Sequence, residues 1–110
     1  MKIMIHGLNM ELTPSISEHV EEKIGALESH LDPKHSALAE ARVEVGKETK
    51  HHIKGNIFYA EVNVKMGGEF YRATARHEDL YAAVNEVQSD LERQLQKHKT
   101  KHEPSRKTIR

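Results

Sequence analysis

The sequence predicts an α+β domain of order β-α-β-β-β-α, a four-stranded sheet with two helices packed on one face. Three patterns lead there. Two segments place apolar residues every three or four positions, the period of a helix with one buried stripe. One segment alternates apolar and polar residues on both sides of Gly67-Gly68, the mark of a tight hairpin. The third pattern is brevity: 110 residues, 36% hydrophobic, no cysteine and no tryptophan, which suits one modest core of aliphatic residues.

The elements follow in order. Lys2 to His6 alternates Ile3 and Ile5 with polar or flexible neighbours, a short strand. Thr13-Pro14 starts a helix, because Thr13 can cap and proline fits a first turn whose N–H has no partner. Ile16, Val20, Ile24, Leu27 and Leu31 form its stripe, and Asp32-Pro33 is read as its end. Ala41, Val43 and Val45 alternate with Arg42, Glu44 and Gly46 in a second strand. Residues 47–55, polar and rich in Lys and His, are read as a loop or as two frayed strand ends.

The hairpin comes next. With Gly67-Gly68 as a two-residue loop, Met66 faces Glu69, and the register runs Val64 to Tyr71, Val62 to Ala73 and Ala60 to Ala75. The alternate positions pair Lys65 with Phe70, Asn63 with Arg72, Glu61 with Thr74 and Tyr59 with Arg76. This sorts the apolar residues to one face, where the small alanines admit a helix at close range. Tyr59, Asn63, Lys65, Arg72 and Arg76 are left on an open face. The last helix runs from about Asp79 to Lys99 on the stripe Leu80, Val84, Val87, Leu91, Leu95 and His98. The chain divides into a single domain over 1–100 and a flexible basic tail over 101–110.

Charge and motifs narrow the function. Net charge is zero, yet residues 1–87 hold 10 Lys/Arg against 14 Asp/Glu, while residues 88–110 hold 7 against 3. A basic end on a neutral body suggests a contact surface, with dipole compensation and a solubilising tail as the ordinary alternative. Arg93, Lys97 and Lys101 share four-residue spacing and form a row; Lys99 broadens it. Such cations neutralise phosphates. No thiolate chemistry is available without cysteine, no nucleophile elbow or phosphate loop is present, and catalysis is not expected. His51-His52 and the His98/His102 pair lack a third ligand, so neither a metal nor any other cofactor is expected. No stretch approaches a membrane span, and the first twelve residues are too mixed for a secretory signal; a cytoplasmic location is expected.

Several blocks carry a resemblance: Gly67-Gly68-Glu69, Ala73-Thr74-Ala75, Glu78-Asp79-Leu80-Tyr81-Ala82-Ala83-Val84, Leu91-Glu92-Arg93-Gln94-Leu95 and Lys97-His98-Lys99. In this order and spacing, with Asn9-Met10-Glu11-Leu12-Thr13 at the start, the chain resembles the ribosome hibernation-promoting factors and ribosome-associated inhibitors over about residues 1–102. The resemblance implies a stress or stationary-phase factor that occupies the mRNA and tRNA channel of the small ribosomal subunit, inhibits translation sterically and preserves idle ribosomes. It implies rRNA contact through Lys23, Arg93, Lys97 and Lys99; Asp79 and Tyr81 also match, the latter favoured as a packing residue. With Arg72, Arg76 and Lys101 from the charge pattern, these cations are the expected RNA-binding set. The implied partners are the small subunit and its rRNA, with a second hibernation factor as a further candidate and neither membrane nor small-molecule substrate.

Two departures stand out. Helix one is acidic around Lys23, with Glu18, Glu21 and Glu22, and has Ser17 and Ala26 where family members often carry bases. The chain ends in a short basic tail, without the long acidic tail of some inhibitors or the extra domain of long-form factors, and so is expected to be a short form. The competing reading is a protein-interaction module, of the sigma-factor modulation type, acting through the open sheet face without RNA.

Overall fold

The computed structural model describes residues 1–48 and 57–101, with side chains through Lys97. Strand β1 (Lys2–Leu8) leads to helix α1 (Pro14–Gly25), a 3-10 turn (Ala26–His30) and helix α2 (Pro33–Leu38). Strands β2 (Glu40–Glu48), β3 (Ile57–Met66) and β4 (Glu69–His77) follow, then helix α3 (Leu80–Lys101). The expected order stands, and the sheet order is β1-β2-β3-β4. β1 and β2 are parallel, so the helical segment between them must cross over the sheet. The other two pairings are antiparallel.

The hairpin register is the one the sequence predicts, from Met66 opposite Glu69 to Tyr59 opposite Arg76. Gly67 takes φ of 61°, which a side-chain-bearing residue seldom adopts. Positive φ at the first loop residue is the pattern of a type II′ turn, whose twist matches the strands.

The core lies between the sheet and the helices. Val20 and Ile24 of α1 and Leu27 of the 3-10 turn meet Val43, Val45, Val62 and Val64 from the sheet. Leu80, Val84, Val87, Leu91 and Leu95 of α3 complete the layer, all at 6% exposure or less. Ala60, Ala73 and Ala75 are buried on the strands that α3 covers, where their small side chains permit close approach. No polar residue is buried among the described residues. Burial of this layer, at roughly 25 cal/mol per Å² of apolar area, is the main stabilising term.

Two expectations need correction. The first helix does not continue to Leu31. It ends at Gly25 and tightens into the 3-10 turn, where Leu31 N–H donates to Glu28 O at 3.0 Å. Tighter winding keeps Leu27 in the core and releases Leu31 to extended dihedrals. Moreover, Asp32-Pro33 does not only stop a helix. Asp32 caps α2 by accepting from His35 N–H at 2.8 Å, with Pro33 in the first turn. The domain therefore has a third, short helix in the crossover. The expected loop falls mainly on residues 49–56, outside the described residues, while β2 extends through Lys47 and Glu48. The tail beyond Lys101 also lies outside them.

Candidate nucleic-acid interface

Two surfaces carry the cations singled out by sequence, and they lie on opposite sides of the sheet. The helical side comes first. α1 and α3 lie next to each other because both bury an apolar stripe on the same sheet face. The His19 ring meets Tyr81 edge-on with centroids 4.7 Å apart, and His19 Nε2 lies 3.1 Å from Asn85 Oδ1. Further along, His30 Nε2 is 3.3 Å from Glu92 Oε2. Tyr81 thus packs, as favoured, but keeps part of its ring exposed. Lys23 stands one helical turn after His19 and is half-buried, so it belongs to the flank of α1 that faces α3.

Arg93 and Lys97 occupy another aspect of the same layer. Glu92 reaches towards His30 in the 3-10 turn, while Gln94 Nε2 donates to the Arg72 carbonyl on β4 at 2.9 Å. Arg93, about 100° from each around the helix, must point outward. Its side chain is 70% exposed, and its Nη2 donates to Asp90 Oδ1 at 3.2 Å. The pair joins residues one turn apart on α3. An exposed i,i+3 pair of this kind is worth little and is readily exchanged for another anion. Lys97 follows one turn on, also exposed. Lys99 and Lys101 lie on helical backbone, with side chains outside the described residues. Asp79 caps α3 by accepting from Tyr81 N–H at 2.9 Å and thereby fixes where the helix, and its row of cations, begins.

The open sheet face is different. Cross-strand register lays out Met4, Arg42, Asn63 and Arg72 in one row and His6, Glu44, Glu61 and Thr74 in the next. Arg72 Nη2 is 2.8 Å from Glu61 Oε2, and Arg76 Nε bonds Glu48 Oε1. Tyr59 lies across Gly46 and donates its hydroxyl to Glu44 Oε1 at 3.1 Å. Burial, with the Glu44 carboxylate second, pushes the Tyr59 phenol above its ordinary value. A Cβ at position 46 would sit 2.5 Å from the Tyr59 ring, so that glycine is required by close approach. Arg72 and Arg76 are therefore exposed at their tips but already engaged with carboxylates.

The structure thus groups Arg93 with Lys97, sets Lys23 apart in the inter-helix groove, and puts Arg72 and Arg76 on the far face. Sequence reasoning missed the acids that engage those arginines, since Glu48 is 28 residues from Arg76. It placed Phe70 opposite Lys65 on the open face, as observed, but left Arg42 out of that face, although alternation along β2 holds the signal. Among the described residues, no three His, Cys, Asp or Glu side chains group to hold a metal ion. No described helix is long and apolar enough to cross a membrane.

The same arrangement of strands and helices recurs in known proteins. The N-terminal domain of Thermus thermophilus Protein Y superimposes with a TM-score of 0.68 at 27% identity, covering 89% of this chain and 99% of that one. A ribosomal subunit interface protein from Coxiella burnetii gives 0.68 at 23% identity, over 91% of this chain and 99% of its own, a likeness of fold. In sequence, the chain is 38% identical over 105 residues to the Ribosome hibernation promotion factor of Bacillus subtilis. It is 33% identical over 101 residues to that of Staphylococcus aureus. Each match covers 92% of this chain, and the chain spans about half the length of these curated relatives, 50% in both. The blocks running from the first strand to the basic end of α3 fall within a single family model that matches residues 3–103, and the chain belongs to that family, the Sigma 54 modulation protein / S30EA ribosomal proteins.

Proposed function

We propose that this chain is a ribosome hibernation factor that binds the small ribosomal subunit in the channel of mRNA and tRNA and holds the ribosome inactive. The observation that carries this reading is the family match over residues 3–103, with two relatives named for ribosome hibernation promotion. The geometry supports it. Arg93 and Lys97 form an outward stripe with one weak intrahelical tie, available to phosphates. Lys99 and Lys101 follow in the sequence and add positive charge to this end of the chain, and Lys23 contributes from α1. Arg72 and Arg76 contribute only where an rRNA phosphate displaces Glu61 or Glu48. The mode of action is occupancy without a reaction, in the cytoplasm, by the domain over residues 1–100; the basic tail from residue 101 adds charge.

Co-sedimentation with separated ribosomal subunits across a salt series tests the proposal. The chain should pellet with the small subunit. Affinity should fall by about 0.7–0.9 log units per log unit of salt for each phosphate neutralised. The triple variant Arg93→Ala, Lys97→Ala, Lys99→Ala should fold and fail to pellet. A flat salt response, or wild-type sedimentation of the triple variant, would sink the proposal.

A further inference from the structure

The two ends of the open sheet face differ in a way that the ribosome reading does not use. At the end near Gly46, Arg76 is tied to Glu48, and Arg72, in the row of Asn63 and Arg42, is tied to Glu61. At the hairpin end, register sets Lys2, Glu40, Lys65 and Phe70 in one row, with Arg42 and Asn63 in the adjoining row. Among the described residues, Lys2, Arg42 and Lys65 form no ion pair. Three cations thus stand around Glu40, and the nearest further carboxylate, Glu61, is engaged by Arg72 and accepts from Asn63 Nδ2 at 3.4 Å.

Phe70 stands at the rim of this patch with 72% of its surface exposed, the most exposed of the large apolar residues described. It gains nothing from the core, since its alternation places it on the face away from the helices. A shallow hollow of about 390 Å³ runs beside the ring, lined by Glu40, Arg42, Asn63, Val64, Lys65 and Phe70.

From this juxtaposition we propose that the hairpin end of the sheet is a second RNA-binding site, where a base of a single-stranded segment stacks on Phe70 and its flanking phosphates meet Lys65, Arg42 and Lys2. An exposed planar ring beside unpaired cations on an open sheet is how single strands are held without base pairing. Asn63 donates Nδ2 to Glu61 Oε2 at 3.4 Å, and its amide oxygen can accept from a base edge. A partner protein bearing acidic residues would satisfy the cations but leave the ring without a planar partner, so the ring favours RNA. The site is independent of the helical stripe, and it stands or falls separately from the hibernation reading.

The test is fluorescence anisotropy with a labelled ten-nucleotide oligouridylate, together with ultraviolet cross-linking to locate the contact. The expected result is a cross-link at Phe70. Phe70→Ala should weaken binding by roughly 5- to 150-fold, the range for one stacked base, and Phe70→Trp should retain it. Arg42→Ala and Lys65→Ala should each reduce the salt slope by about 0.7. Arg93→Ala with Lys97→Ala should leave the Phe70-dependent part intact. Unchanged affinity in Phe70→Ala overturns the proposal. So does displacement of the oligonucleotide by a ten-residue oligoglutamate with equal strength from wild type and Phe70→Ala, which would assign the patch to an acidic protein. Loss of ribosome sedimentation in the helix variant with retained oligonucleotide binding, or the reverse, separates the two proposals.

Discussion

The helical layer and the open sheet face carry similar numbers of basic side chains but present them differently. On α3, Arg93 leans on Asp90 of its own helix, and Lys97 follows free of any ion pair among the described residues. On the sheet, Arg72 and Arg76 are held by Glu61 and Glu48 from neighbouring strands, which the register brings beside them. A strand ladder places opposite charges side by side, whereas an exposed helix flank lets a stripe of one sign stand alone. Availability of a cation is thus decided by whether a carboxylate lies within reach, since Arg42 and Lys65 on the same sheet form no ion pair among the described residues.

The largest expected effect is one that removes both surfaces together. Leu91 is fully buried under α3, and Leu91→Ala should cost about 2–5 kcal/mol, read from chemical denaturation. Ribosome and oligonucleotide binding should then decline in parallel with the folded fraction. Charge reversal separates the surfaces. Arg93→Glu with Lys97→Glu should weaken ribosome co-sedimentation by at least about tenfold per cation, from ~1.5 kcal/mol for a charged hydrogen bond. Arg72→Glu with Arg76→Glu should do less, because those side chains must first leave their partners. An equal loss for the two pairs would break the comparison.

Gly46→Val should destabilise by roughly 1–3 kcal/mol, since the new side chain collides with the Tyr59 ring. Thermal unfolding reads the loss, and a folded fraction that still sediments with ribosomes would confine the damage to the sheet face. The smallest effect concerns pH. Tyr59 holds its proton more tightly when folded, first through burial and then through Glu44. A raised phenol value means that the folded state binds the extra proton. This contribution is complete below the ordinary value of 10.0 and is lost as pH rises through the folded value. Alkaline denaturation should therefore begin later in Tyr59→Phe than expected from its neutral-pH stability; an unchanged pH profile would count against that contact.

Much of this was legible in the chain. Gly67-Gly68 defines the hairpin, and the alternation around it leaves one register that buries Val62, Val64 and Met66 together. The stripe of α3 from Leu80 to Leu95 is buried as its period demands. The short helix α2 was not legible, although Asp32-Pro33 repeats the cap-and-proline pattern of Thr13-Pro14. A six-residue helix with no buried residue carries no apolar period to announce it. The open-face ion pairs were hidden for another reason. Arg76 and Glu48 meet across β3, and only the full strand order brings β2 and β4 to its two sides. Lys23, Arg93 and Lys97 could be chosen by sequence, but their division between a groove and an outer flank depends on how α1 lies against α3.

The bond from Gln94 to the Arg72 carbonyl has a further consequence. β4 is an edge strand, and in its ladder Arg72 occupies a non-hydrogen-bonded pair with Asn63, so its carbonyl points away from the sheet. Such a carbonyl is what the edge of another molecule would seek. This chain carries zero net charge and so has no mutual repulsion to keep crowded copies apart. By occupying that acceptor, an amide on α3 makes strand-to-strand growth begin with the loss of a bond, and the colloidal safety of the molecule rests there on a local plug instead of a long-range field.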